Sequence, residues 1–344
     1  GLIEEVAANV PRLDYSDGSC PSLLLEPFAR NLIPHSQTFD AGWSKLNGVV
    51  VSATKVTSPD GTLNASQLIY DGTSSGRIER GIGGLTQGAD YTVSVYARVS
   101  SGTQAVRLGS VSDFEYTLTT EWQRLISTEA ENDTVGYPRL KCDDAVTVEI
   151  YGFQLEENSY ATSLIKTVGT TQTRSADTAN GAGNASTFNS SEGVLMAEIK
   201  GFENDAISRA ISISDGTTSN RINLFLSSNQ SQVVGRVNAG SSTPSADMIY
   251  TGIAQTTFNK IAVKWKVNDF ALWINGVKVL TDLNGAVPSG LNVISFDNAS
   301  SAVFLGNTKQ VQYFDSALND SDLEKLTSWT SFTAMANAQS YTII

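Results

Sequence analysis

Asn259–Leu280 reads NKIAVKWKVNDFALWINGVKVL. Ile261, Val263, Trp265 and Val267 fall on one face of an alternating run, and Ala262, Lys264 and Lys266 fall on the other. That is the period-2 pattern of a half-buried strand. Asn268-Asp269 punctuates the run, and Phe270–Ile274 reads as a second strand. Asn275-Gly276 is the pair that most readily adopts the positive φ angles of a tight type I′ turn, and Val277–Leu280 continues beyond it. Three strands and two tight turns in 22 residues make a meander. A meander of this kind predicts an antiparallel β-sandwich.

The pattern extends through residues 184–344. Leu195, Ala197 and Ile199 face inward along Gly193–Phe202. Ile211 and Ile213 lead into an Asp215-Gly216 turn, and Ile222, Leu224 and Leu226 return from it. Ala302–Leu326 closes the domain with one helix. Asn319 is its N-cap, Asp322 stands at N3, and Leu318 and Leu323 occupy the places of a hydrophobic staple. The polar tail Ser328–Ile344 is expected to pack on a neighbour.

Residues 28–157 predict a first sandwich. Phe39–Trp43 starts it, and Asp60-Gly61 and Asp71-Gly72 read as hairpin turns on either side of Ala65–Tyr70. Tyr91, Val93, Val95, Ala97 and Val99 alternate inward, with Thr92, Ser94, Tyr96 and Arg98 outward. Val146–Leu155 is apolar on both faces, as a central strand would be. Residues 158–183 are rich in Thr, Ser and Ala without apolar periodicity and read as a linker. Residues 1–27 are broken by Pro11, Asp17-Gly18 and Pro21, yet Leu23-Leu24-Leu25 must be covered. This reads as an N-terminal strap or oligomer contact.

Composition agrees with two all-β domains. The 344 residues include 28 Gly and only 17% charged residues, a length for which two domains are the prior. A net charge of −12 excludes nucleic acid as a partner, because phosphate binding draws on clustered Lys and Arg. No segment approaches the ~18 apolar residues of a membrane span. Gly1–Glu5 lacks the basic start and apolar core of a secretory signal, and Gly1 in place of a starting Met is expected of an excised piece of a longer chain. Cys20 and Cys142 are read as two unpaired thiols, and the single histidine, His35, rules out His-pair metal sites.

The segments Pro11–Pro27 (PRLDYSDGSCPSLLLEP), Arg30–Ser36 (RNLIPHS), Gly152–Glu157 (GFQLEE) and Ala161–Gly183 (ATSLIKTVGTTQTRSADTANGAG) resemble recurring stretches of bacteriophage tail-fibre and head-fibre structural proteins. The resemblance covers nearly the whole chain. It implies a carbohydrate-binding-module-like jelly roll followed by a concanavalin A-like (laminin G-like) domain. The strand–Ala-Leu–helix order at the end resembles the closing strands of the latter. It also implies a virion-surface protein without a signal peptide, a homo-oligomer of trimeric type, contacts with other virion proteins, and adhesion to host surface glycan. A structural calcium ion is implied as well, with Asp40 as its first-strand ligand. The last-strand position carries Gln154 where related modules tend to carry Asp.

Sugar binding needs exposed aromatic faces with a few hydrogen-bonding groups around them. Tyr70, Tyr137 and Tyr250 lie near predicted turns and are the candidates, the competing reading being aromatics that cap a core edge. Trp43, Trp122, Trp265 and Trp273 read as core, while Trp329 is the least constrained. No Glu-x-Asp-x-x-Glu run is present. Asp320-Ser321-Asp322-Leu323-Glu324 comes nearest but reads as a helix start, where acids suit the dipole. No enzyme is expected. The alternatives to an adhesin are a purely structural decoration or adaptor and, behind it, a polysaccharide-degrading enzyme with paired carboxylates. A secreted bacterial adhesin of the same architecture is a further one.

Overall fold

The meander forms as its residues dictate. In the computed structural model, which describes residues 3–18, 20–203, 206–299, 301–331 and 333–334, Asn259–Lys266, Phe270–Ile274 and Val277–Asp282 pair in succession as antiparallel strands. Asn275 and Gly276 take φ of 50° and 87°, the left-handed pair that the type I′ turn requires. Ile261, Val263 and Trp265 are buried, whereas Val267 is exposed because it lies just past the strand, in the turn. Ala262 on the opposite face is buried too. The helix Asp320–Thr327 covers that face, and Val194, Met196, Ala262, Ala271, Trp273 and Leu323 form a cluster beneath it. Asn319 caps the helix by accepting from the Asp322 N–H at 3.0 Å, and Leu318 joins Leu323 in the cluster.

The chain divides into two compact units, one of residues 3–7 with 27–176 and one of residues 8–26 with 177–334. Both are antiparallel β-sandwiches, so the all-β fold with two sandwiches holds. The first unit has two five-stranded sheets. One runs in the order Gln123–Ala130, Asp90–Val99, Ala145–Glu156, Leu63–Asp71, Val49–Thr57. The other runs Phe114–Leu118, Gln104–Gly109, Arg139–Cys142, Gly76–Glu79, Ser44–Leu46. Val93, Val95, Ala97, Leu68 and Val148 from the first meet Ile78, Val106, Leu108 and Leu140 from the second in one core. Ala145–Glu156 is paired on both sides, as its two apolar faces predict. Asp60-Gly61 does join two paired strands, but Asp71-Gly72 sends the chain from one sheet to the other.

In the second unit a seven-stranded sheet faces a six-stranded one. The larger runs Leu13–Asp14, Ser22–Leu25, Gly306–Phe314, Glu192–Lys200, Asn259–Lys266, Phe270–Ile274, Val277–Asp282. The smaller runs Asn180–Ala182, Val293–Ser295, Arg209–Ser214, Asn220–Leu226, Gln232–Ala239, Ala246–Thr251.

Two segments differ from their sequence reading. The N-terminal residues 8–26 supply two strands of the seven-stranded sheet, with Leu25 in the core. Arg12 bonds the carboxylates of both Glu26 and Asp177, and Asp177 also accepts the Glu26 N–H at 2.7 Å. The leucine run thus finds its cover inside its own chain. Residues 158–176 are built into the first unit. Gln172–Arg174 pairs with Ala29–Asn31, and Thr162, Ile165 and Thr167 are buried. Buried polar side chains hold this stretch: Asn31 Nδ2 donates to the Ile165 carbonyl at 2.9 Å, and Gln154 Oε1 accepts the Ile165 N–H at 2.7 Å. A segment fixed by polar partners carries no apolar period. The readings made for the tail beyond residue 334 lie outside the described residues.

Candidate functional site

The three candidate tyrosines do not converge. Tyr70 is only 3% exposed, inside the first core, and its hydroxyl donates to the Leu140 carbonyl at 3.2 Å. Burial, with a smaller contribution from Cys142, pushes that hydroxyl well above the ordinary tyrosine range. It offers no face to a sugar. Tyr250 sits on Ala246–Thr251 and packs against the second core. Tyr137 is 48% exposed, with its ring against Gly81, where an added Cβ would meet it at 3.3 Å.

The calcium reading fails on the donors available. Asp40 is exposed, and its carbonyl accepts from Lys45 Nζ at 2.6 Å. Gln154 is fully buried with its amide directed to Glu156, Thr162 and Ile165. Among the described residues no group of three or more His, Cys, Asp or Glu is arranged to hold a metal ion. Asp40 and Gln154 are therefore not a fit for calcium.

Tyr137 borders the outer face of the Phe114–Leu118 sheet, where Arg107, Lys141 and Arg77 line up across adjacent strands. Each cation there has an acid. Arg107 pairs with Asp143 at 2.6 Å, Arg77 with Glu79 at 2.6 Å, and Arg139 and Lys141 share Asp113 at 2.9 and 2.5 Å. Beside this face Glu131 is buried. Burial raises its carboxyl above the ordinary range, and the bond donated by Ser110 Oγ only partly offsets this. Its neighbour Glu129 accepts three backbone N–H groups, from Ser110, Val111 and Ser112, at 2.7, 2.8 and 2.7 Å. The two carboxylates work as loop staples.

A hollow of about 310 Å³ lies in the second unit, at the low end of the range for ligand pockets. Cross-strand register creates it. Glu198 is paired with Lys260 on one side and Gln310 on the other, on the face opposite Ala197, Ile199 and Ile261. The helix ends alongside. Lys260 Nζ donates to the carbonyl of the C-cap residue Ser328 at 3.0 Å and lies 4.9 Å from the centre of the Trp329 ring. Lys200 pairs with Asp17 at 2.6 Å and stands 4.9 Å from the Phe258 ring. Lys309 lies 3.9 Å from the same ring. Glu198 accepts from Gln310 Nε2 at 2.9 Å. The buried indole Nε1–H of Trp329 finds no acceptor among the described residues. A second hollow, of about 330 Å³, shares Trp329 and Thr330 with the first and is lined also by Glu324, Lys325 and Ser328. Aromatic surface, three ammonium donors and two carboxylates in one concavity can hold a polyhydroxylated ligand by stacking and hydrogen bonds.

Of this set only Trp329 stood out in the sequence. Alternation places Glu198, Lys200 and Lys260 opposite the core-facing residues, but nothing local brings Gly306–Phe314 beside them.

No protein-family model matches the chain, and no curated protein does. Among solved structures it is similar to the CBM40 of the Ruminococcus gnavus IT-sialidase bound to α2,3 sialyllactose, at 18% identity and TM-score 0.37, over 44% of this chain and 94% of that one. A Clostridium thermocellum xylanase comprising CBM22-1 and GH10 modules, complexed with xylohexaose, is similar at 16% identity and TM-score 0.30, over 41% and 30%. The heptameric SAP-like pentraxin of Limulus polyphemus is similar at 12% identity and TM-score 0.33, over 44% and 74%.

Proposed function

We propose that the chain binds carbohydrate reversibly and without altering it, as a surface appendage of a bacteriophage virion that adheres to host glycan. The observation that carries this reading is the hollow at Trp329, where aromatic rings stand among ammonium and carboxylate groups. Both carboxylates of the hollow already have partners, Gln310 and Lys200, which suits holding a sugar better than cleaving one. The virion setting and the contacts with other virion proteins are supported by the resemblance of the Pro11–Pro27 and Ala161–Gly183 segments to phage fibre proteins. A homotrimer would multiply weak sites by valency.

The test is retention of the whole chain by immobilised host envelope polysaccharide, for the parent and for Trp329→Ala. The whole chain is required because a cut at residue 157 would part Ser22–Leu25 from Gly306–Phe314. Loss of a stacking ring is expected to weaken binding about tenfold, or about 1.4 kcal/mol, with little change in melting temperature. Equal binding by parent and variant would overturn the reading at this hollow. A second reading, a virion decoration that binds no sugar, is favoured by the burial of Tyr70 and the packing of Tyr250. Absence of retention by either protein would support it.

A further inference from the structure

We infer that the hollow at Trp329 selects glycans that carry an anionic group, a carboxylate or sulfate on the sugar, and that Lys309 is the residue that meets it. This rests on the carbohydrate-binding reading above. Three observations carry it. Lys309 is the extra residue of a β-bulge: Glu198 opposes Gln310 and Ile199 opposes Thr308, leaving Lys309 without a partner in the ladder. A bulge re-aims the side chain it frees. Lys309 accordingly reaches the Phe258 ring, although its neighbour Gln310 already bonds Glu198 on the same hollow.

The second observation is that Lys309 has no carboxylate partner among the described residues, its contact being the face of Phe258. The basic face of the first unit differs in its contacts. Arg77, Arg107, Arg139 and Lys141 there each touch a carboxylate, Arg139 and Lys141 sharing Asp113. In the hollow Asp17 is held by Lys200 and Glu198 accepts from the neutral Gln310 amide, so three ammonium groups meet two carboxylates and Lys309 stands with no carboxylate in contact among the described residues. The third is the Trp329 ring, 4.9 Å from Lys260 Nζ, an aromatic surface beside the ammonium groups on which a sugar can stack. The chain's net charge of −12 does not oppose this, because at about 0.15 M salt charges beyond roughly 8 Å are largely screened.

Affinity electrophoresis of the whole chain at about 0.15 M salt, through gels holding dextran, carboxymethyl-dextran or dextran sulfate, tests the inference. The parent is expected to be retained by at least one anionic polymer about tenfold more than by dextran. Lys309→Gln is expected to lose that excess, Lys309→Arg to keep it, and Lys141→Gln in the first unit to leave it unchanged. Equal retention by all three polymers, weakened by Trp329→Ala, would leave glycan binding standing and overturn the anionic preference. An excess that survives Lys309→Gln, or that Lys141→Gln removes as fully, would place the anion elsewhere and overturn the role of Lys309. Retention by none of the polymers would overturn the anionic preference, while the glycan-binding reading would stand or fall on the host envelope polysaccharide.

Discussion

Asp60 shows how much one side chain can tie together. It sits in the turn between Val49–Thr57 and Leu63–Asp71, where Oδ1 accepts from Ser58 Oγ at 2.6 Å and from the Thr62 N–H and hydroxyl at 3.0 and 2.6 Å. Oδ2 accepts from Tyr151 Oη at 2.5 Å and Lys166 Nζ at 3.1 Å. Burial alone would raise this carboxyl, but the bonds from Ser58, Thr62 and Tyr151 outweigh it and hold the group far below the ordinary aspartate range. A depressed folded-state value means stabilisation that is present above the unfolded value and is lost as pH falls through the folded one. Asp60→Asn is therefore expected to cost about 2 kcal/mol at pH 7 in urea unfolding, with the gap to the parent closing progressively below about pH 4. A constant gap across the acid range would show that the charge is not what matters. The turn itself is legible in Asp60-Gly61. Its partners are not, because Tyr151 and Lys166 lie 91 and 106 residues away. Tyr70 borders the Asp71-Gly72 turn, yet its alternation with Leu68 sets it inward.

At the scale of elements, the meander and the capped helix could be read because their determinants are local. Asn275-Gly276 fixes a turn by its own φ angles, and Asn319 bonds Asp322 three residues on. Asn319→Ala is expected to cost about 1 kcal/mol, read as a lowered unfolding midpoint at an unchanged m-value. The bulge at Lys309 was invisible, since it exists only in the pairing of two strands more than a hundred residues apart. The 158–176 segment failed for another reason. Its order comes from Asn31, Gln154, Glu156, Thr162 and Thr167, and polar residues in a stretch without period look like linker until their partners are seen.

For the whole molecule, composition and strand spacing gave two sandwiches, but the chain's route through them needed long-range pairing. Leu25 belongs to the second core although it precedes the entire first unit. Leu25→Ala is thus expected to destabilise the second sandwich by about 3 kcal/mol and leave the first one's intrinsic transition in place. Calorimetry with tryptophan fluorescence would assign the shift, and a first-unit transition that moved equally would contradict the division.

The same route sets an order of events at the ribosome. Ser22–Leu25 emerges well before its partner strand Gly306–Phe314, and Ser22 and Asn307, which share a side-chain bond, are 285 residues apart. Every strand of the first sandwich has been made in between. The N-terminal sandwich can close while translation proceeds, since domains generally fold as units during synthesis. The leucine strand of the other must wait, uncovered, until Gly306–Phe314 has been made. Leu23-Leu24-Leu25 is thus made well before the strand that shelters it, and it is the stretch a nascent-chain chaperone would meet during the delay.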